Sequence, residues 1–412
     1  MNIAEHKCSY TTAILFTVIL KLYILFIIFN GIRESLEIPL VFSMFLTCTR
    51  ETLLYFLVFG SIFFKKDLKV PGKCTVFFLI LVFLPACVSL FMNYYDFGIV
   101  LFHCYWIFRS FLFVIVLLNS NCYLVVSDNN LIRYIVIISF LLFIVTLVVY
   151  YEFNHLIVNK NEVNLIGLGN SSIQSGTYVV ALILCINYRP FTKEIVNVFF
   201  ELSFIFATIL TVTSTAIVAV FIVLFLFLVH SSERKHIVFI SLISITLFLL
   251  LAAYLRTHFE LILLFIEKKM VELFQLLEKF VTLSNEKTLS TSFGERERQI
   301  NAFYNRLTPI NTILGMGDFS IRTKETAIEN LYIGVLSDYG ISGILFLVLS
   351  MLHATIKSIK TIFRKKSAFQ LIAILTFAVY GMTLHTILLF NFVGMYIILF
   401  YFAFWKEKNM HV

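Results

Sequence analysis

Runs of about 20 apolar residues recur along this 412-residue chain. Each is long enough to carry an α-helix across a hydrocarbon layer ~30 Å thick. In lipid every backbone N–H and C=O must be satisfied within the protein, so such runs fold either as helices or as a closed barrel. A barrel needs strands of alternating polarity, and that alternation is absent. Sixty per cent apolar residues and 47 Phe exclude a water-soluble globular fold. The expectation is therefore an all-α, polytopic integral membrane protein with about 12 transmembrane helices. These are read near 10–29, 39–63, 74–92, 98–118, 131–150, 173–187, 194–211, 214–230, 237–254, 331–352, 368–388 and 391–405. The 39–63 run is the least regular, because Arg50 and Glu51 sit at its middle. The first run lacks a small-residue cleavage site and is expected to stay as an anchor.

Charge in the short loops orients the helices. With a cytoplasmic N-terminus, 17 short-loop cations fall on one side, including the Lys65-Lys66-Lys69-Lys73 and Lys357-Lys360-Arg364-Lys365-Lys366 clusters. The opposite short loops hold only Arg33 and Lys160. Both termini are thus expected inside and the long loop outside. The net charge of +8 is a topology signal that implies no nucleic-acid partner. All seven cysteines lie in spans or on the inner side, so disulfides and cysteine–metal sites are not expected on the outer face.

The chain divides into a membrane domain at 1–254, a polar segment at 255–330 and a second membrane domain at 331–412. Neither tandem repeats nor matched six-span halves are visible. Within the polar segment, 258–280 reads as an interfacial amphipathic helix. A Ser/Thr/Gly-rich turn follows at 282–294. A short helix over 294–307 then stops before Pro309 and the Gly315/Gly317 pair, where a tight turn is expected.

Six ionisable residues fall at membrane depth: Lys21, Arg50, Arg109, Glu51, Glu201 and Asp338. Unpaired charges there cost at least ~2.5–3.5 kcal/mol each, so pairing or a water-filled cleft is expected. Arg50 and Glu51 are ~100° apart on a helix, which predicts partners on other spans for both. Structural ion pairs and a functional cleft both fit this pattern. Asn330, Gly334, Ser337, Asp338 and Ile341 share one helical face by spacing and are expected to line a cavity.

The polar segment also gathers candidate binding groups. Arg296, Arg298 and Arg306 lie on the short helix, Arg322 and Lys324 come later, and Glu329 stands at the membrane boundary beside Asn330. Arg suits phosphate and pyrophosphate, because its planar fork donates two charge-assisted hydrogen bonds. A carboxylate at the lip of an apolar cavity suits a general base. A merely solvated charged loop fits the same residues. A lipid pyrophosphate would need an apolar groove, interfacial cations and a polar vestibule, and the chain supplies all three.

From Arg296 to Leu345 the sequence resembles the C-terminal signature of the bacterial O-antigen polymerase (Wzy) and O-antigen ligase superfamily. The residues that carry the resemblance are Arg296/Arg298, Pro309, Gly315-Met316-Gly317, Glu329-Asn330 and Asp338-Tyr339-Gly340-Ile341-Ser342-Gly343. Weaker echoes are Gly169-Asn170 and Thr213-Ser214; Thr215 stands where the family often has Arg. The resemblance implies a metal-independent glycosyltransferase without cofactor, in the inner membrane of a bacterium. It would join undecaprenyl-pyrophosphate-linked oligosaccharide repeat units at the periplasmic face during lipopolysaccharide biosynthesis. Its partners would be that substrate, membrane lipid, and a chain-length regulator and flippase of the same pathway. Glu329 would be catalytic. Arg296, Arg298, Arg306, Arg322, Asn330, Arg109 and Asp338 would bind substrate. The ligases typically carry His-Asn where this chain has Glu-Asn, which favours polymerase over ligase. A flippase or other transporter is the alternative from another class.

Overall fold

A computed structural model describes residues 10–29, 40–63, 87, 90–91, 97–120, 128–152, 171–211, 213–230, 309–315, 331–365, 367–382 and 390–406. All regular structure among them is helical. In chain order the helices are α1 (Tyr10–Phe29), α2 (Leu40–Phe63), α3 (Phe97–Asn119), α4 (Asp128–Glu152), α5 (Ser171–Tyr188), α6 (Glu194–Leu210) and α7 (Ser214–His230). They continue with α8 (Pro309–Leu314), α9 (Leu331–Lys365), α10 (Phe369–Gly381) and α11 (Phe390–Phe400), which runs into a π-helical turn at Tyr401–Lys406. Among the described residues three segments are long and apolar enough to cross a membrane: Met44–Phe63, Asn129–Val148 and Leu331–Phe363. Shorter apolar stretches, such as Ala13–Phe29, Ile173–Tyr188 and Thr215–Phe227, accompany them. The runs expected at 74–92 (apart from residues 87 and 90–91) and 237–254 lie outside the described residues, as does the polar segment up to Thr308.

Helix α5 is the hub, packed against α4, α6, α7, α10 and α11. Every residue from Tyr178 to Cys185 is fully buried, which is what a helix apolar on all sides requires. Around it, α1 packs on α2, α4 and α11, and α3 fills the space between α2 and α11. Small residues set some of these approaches. A side chain at Gly60 of α2 would strike the Phe16 ring of α1, and one at Gly394 of α11 would sit 3.1 Å from Ile27 of α1.

Helix α9 runs antiparallel to α10, and α4 antiparallel to α5. At one end of the bundle, the start of α9 meets the end of α10: the Tyr332 hydroxyl donates to the Ala378 carbonyl at 3.0 Å. At the other end, Arg133 at the start of α4 donates through Nη2 to the Pro190 carbonyl at 2.7 Å. Pro190 lies in the α5–α6 turn, which Asn197 pins by bonding both the Phe191 N–H (3.0 Å) and the Phe191 carbonyl (2.9 Å). The short-loop cations Arg133, Arg189 and Lys193 therefore gather at this second end.

Two local expectations are revised. Pro309 opens helix α8: at the first helical position its missing N–H costs nothing, and its fixed φ suits the turn. Helix α9 continues thirteen residues past 352, to Lys365. Apolarity ends there but helix propensity does not, since no Gly or Pro follows Gly343 before Lys365. The 39–63 run holds as expected, for α2 is one continuous helix through Arg50 and Glu51.

Candidate functional site

Of the residues singled out in the sequence, Arg109 and Asp338 are described; Arg296, Arg298, Arg306, Arg322, Glu329 and Asn330 lie outside the described residues. Two buried constellations contain the first pair.

The first is a backbone crossing between α8 and α9. Helix α8 ends in Gly315, with φ +83°, the turn expected at that position. Helix α9 is broken at Gly340, where φ 66° and ψ −162° are open essentially to glycine alone. The two glycines face each other. A Cβ on Gly315 would lie on the Asp338 carbonyl and 2.7 Å from the Tyr339 nitrogen. A Cβ on Gly340 would lie 2.6 Å from the Gly315 nitrogen. No side chain separates the two backbones. Gly343 is needed one turn later, because a Cβ there would overlap that of Tyr339. Tyr339 is buried in a cluster with Leu331 and Val335, and Cys104 of α3 packs against that cluster. Gly340 is nine residues from the start of α9, about 13 Å at ~1.5 Å per residue. Irregular backbone at such a depth in an apolar helix is tolerated only where protein covers it or a cavity meets it.

Asp338 and Ser337 are both buried at this crossing, with Asp338 only 1% exposed. The face predicted to continue through Ile341 does not: the break at Gly340 rotates the chain, and Ile341 is exposed. Asn330, at the head of that predicted face, lies outside the described residues.

The second constellation is a charged cluster between α2 and α3. Glu51 Oε1 accepts from Arg50 Nη2 at 2.6 Å and from Arg109 Nη1 at 2.7 Å. Its Oε2 accepts from the Tyr105 hydroxyl at 2.6 Å. Arg50 and Arg109 are both buried. Glu51 finds the partners on another span that its position predicts, Arg109 and Tyr105 of α3, whereas Arg50 bonds the neighbour that the helical wheel had pointed away from it. Arg50 has enough reach to curl back to its own neighbour, and Glu51 holds that arginine and Arg109 together.

Nor do the six intramembrane charges form three pairs. Glu51 serves two arginines. Lys21 lies 5.4 Å from the Tyr134 ring centre, a cation–π arrangement, and Tyr134 donates to the Lys21 carbonyl at 2.9 Å. Glu201 is buried on α6 and makes no ion pair among the described residues, and its Oε2 meets no hydrogen-bond partner there.

Hydroxyl groups cluster at the end of the bundle where α9 begins. Ser175 of α5 accepts from the Tyr380 hydroxyl of α10 at 2.9 Å and from Thr213 Oγ1, just before α7, at 3.5 Å. The Gly381 backbone approaches Leu331 so closely that a Cβ would lie 2.9 Å from its Cδ2. Sequence reading marked Thr213 but missed Ser175 and Tyr380. A single Ser and a single Tyr 205 positions apart carry no local signal. Among the described residues no three His, Cys, Asp or Glu side chains gather as a metal site.

Compared with known proteins, the chain matches no family model and no curated protein.

Proposed function

We propose that this chain is an O-antigen polymerase that joins undecaprenyl-pyrophosphate-linked oligosaccharide repeat units at the periplasmic face of a bacterial inner membrane. The observation that carries this reading is the Gly315–Gly340 crossing beside buried Asp338. Gly315, which opens the Gly-x-Gly element, meets Asp338 and Gly340 of the Asp-x-Gly-x-x-Gly element in one backbone contact. Structural packing alone does not ask for a glycine-only break, a short helix seated against it and a buried acid at one point inside an apolar helix.

In this reading the chain crosses the membrane about twelve times, with both termini cytoplasmic and residues 255–330 in the periplasm. Glu329, two residues before α9, is the general base. It takes the proton from the acceptor hydroxyl of the incoming unit as that oxygen attacks the anomeric carbon of the growing chain. The bond from that carbon to the pyrophosphate oxygen breaks, and undecaprenyl pyrophosphate leaves with the electron pair. Arg296, Arg298, Arg306 and Arg322 supply the pyrophosphate grip, with Asn330 beside the base. Asp338 comes nine residues after Glu329, inside α9 beside the Gly340 break, and shapes the junction. Arg109 is tied to Glu51, and its part is to hold α3 to α2.

Deletion and complementation tests this, with lipopolysaccharide resolved on a gel. A polymerase defect leaves a band of core plus one repeat and removes the ladder above it. Loss of every O-antigen band, including the single repeat, would instead mean a ligase or a flippase.

A further inference from the structure

Helix α9 runs for 35 residues with a break at Gly340, whereas a hydrocarbon core of ~30 Å takes about 20. The part after the Gly340 break alone extends about 37 Å at ~1.5 Å per residue. Down this part runs one exposed apolar stripe, through Leu345, Leu352, Ile356, Ile359 and Phe363. On the opposite side Ser358 is buried and Ile362 packs against the core. Between these two faces lies a third. His353, Lys357 and Lys360 are exposed on it in one helical register, and Arg364 occupies the next position of that register.

From Ile341 to Lys366 the sequence contains no Asp or Glu, and neither Lys357 nor Lys360 makes an ion pair among the described residues. The final turns of α9 thus present unpaired cations directly beside an apolar stripe continuous with the one facing the hydrocarbon. We infer that the end of α9 binds an anionic phospholipid, its acyl chains along the stripe and its headgroup phosphate on Lys357 and Lys360. Charge complementarity decides the occupant. A zwitterionic lipid leaves the cations uncompensated, and a second copy of the chain would bring the same cations against them. The lysine stems reach along the apolar surface while the ammonium groups stay at headgroup level. The inference needs only that α9 spans a membrane, and holds whichever reaction the protein performs.

The test uses the full chain, purified and delipidated in a nonionic detergent. Phosphatidylglycerol or phosphatidylcholine is added at equal concentration, and bound lipid is counted by native mass spectrometry. Each lysine near the surface is worth about fivefold in affinity for an anionic lipid. The wild type should therefore prefer phosphatidylglycerol, and a Lys357→Gln/Lys360→Gln variant should lose about 25-fold of that preference. Lys357→Arg/Lys360→Arg should retain it. Circular dichroism checks that each variant is helical; should the double Gln variant fail to fold, Lys360→Gln alone should still lose about fivefold. Equal binding of the two lipids by wild type, an undiminished preference in the Gln variants, or a lipid-free dimer in the spectra would each overturn the inference.

Discussion

Gly340→Ala isolates the crossing of α8 and α9 from the rest of the bundle. Two costs follow from the geometry. The backbone at φ 66°, ψ −162° lies where a side chain is strained by about 1–3 kcal/mol. The new Cβ also meets backbone atoms of Ile313 and Gly315, and overpacking of this kind costs about 1–3 kcal/mol more. Backbone cannot change rotamer, so α8 must move away. Helix α8 has six residues, with Ile313 exposed, and packs on α9. A total of about 2–6 kcal/mol is enough to displace so short a helix but falls short of unfolding a bundle centred on α5. The expected outcome is local: polymer ladder lost, bundle retained. With the other six cysteines replaced by Ser, a thiol-reactive dye reads the second half, since Cys185 lies fully buried in α5 and reacts only when the core opens. Its melting transition should move by only a few degrees. Gly98→Ala is the control, because a Cβ there meets nothing within 4 Å. A full-length ladder from Gly340→Ala at normal expression would refute the claim that this crossing is the working junction. A collapse of the Cys185 transition would show that the crossing is a pillar of the whole fold.

Other outcomes follow from the same geometry. Glu51→Gln removes the negative charge that Arg50 and Arg109 share and should destabilise the α2–α3 pair by about 3–5 kcal/mol, read as lost yield of folded protein in detergent. Arg109→Lys keeps the charge without the planar fork and should fall between wild type and Glu51→Gln. Glu329→Gln should abolish the ladder at unchanged protein level, a loss of about 10²–10⁴-fold in rate, while Asp338→Asn lowers expression or leaves partial activity; the reverse pattern would move the reacting centre deeper into the membrane. Cysteines placed at Ser290 and Lys365 should differ in spheroplasts, with only Ser290→Cys labelled by an impermeant thiol reagent; labelling at Lys365→Cys would invert the topology.

Helicity and the positions of most helices were legible in the sequence because apolar run length and backbone satisfaction leave few choices. The predicted bounds of α1 and α7 match those observed, and α2 held together despite its central charges. What could not be read was anything that depends on side-chain reach or on two distant segments meeting. The helical wheel places Arg50 and Glu51 at ~100° from each other, yet a guanidinium on a long flexible stem is not confined to the direction of its Cα–Cβ bond. The Ser175–Tyr380–Thr213 contact joins three helices and leaves no periodic trace in any of them. The face drawn from Asn330 to Ile341 assumed an unbroken helix, and Gly340 breaks it. The glycine itself was the available warning, since a Gly in a helical run signals strain or close approach as often as tolerance.

That break explains why the charged residues and the glycines belong to different constellations. The Arg50–Glu51–Arg109 cluster is closed: one carboxylate accepts from two arginines and a tyrosine, so it fixes the distance between α2 and α3. The Gly315–Gly340 crossing is the opposite kind of contact. It has no side chains of its own, and it brings main-chain groups of Ile313, Gly315 and Asp338 together inside the bundle. The ionic clamp and the apolar cluster just before the break both touch α3, because Tyr105 bonds Glu51 while its neighbour Cys104 packs against the cluster of Leu331, Val335 and Tyr339. Movement of that cluster would thus be felt by α3, which the clamp holds to α2. Substitutions at Cys104 that enlarge it, such as Cys104→Phe, should therefore disturb the junction without loosening the clamp, and the ladder should shorten while the yield of folded protein stays near wild type. A normal ladder from Cys104→Phe would show that α3 does not transmit between the two.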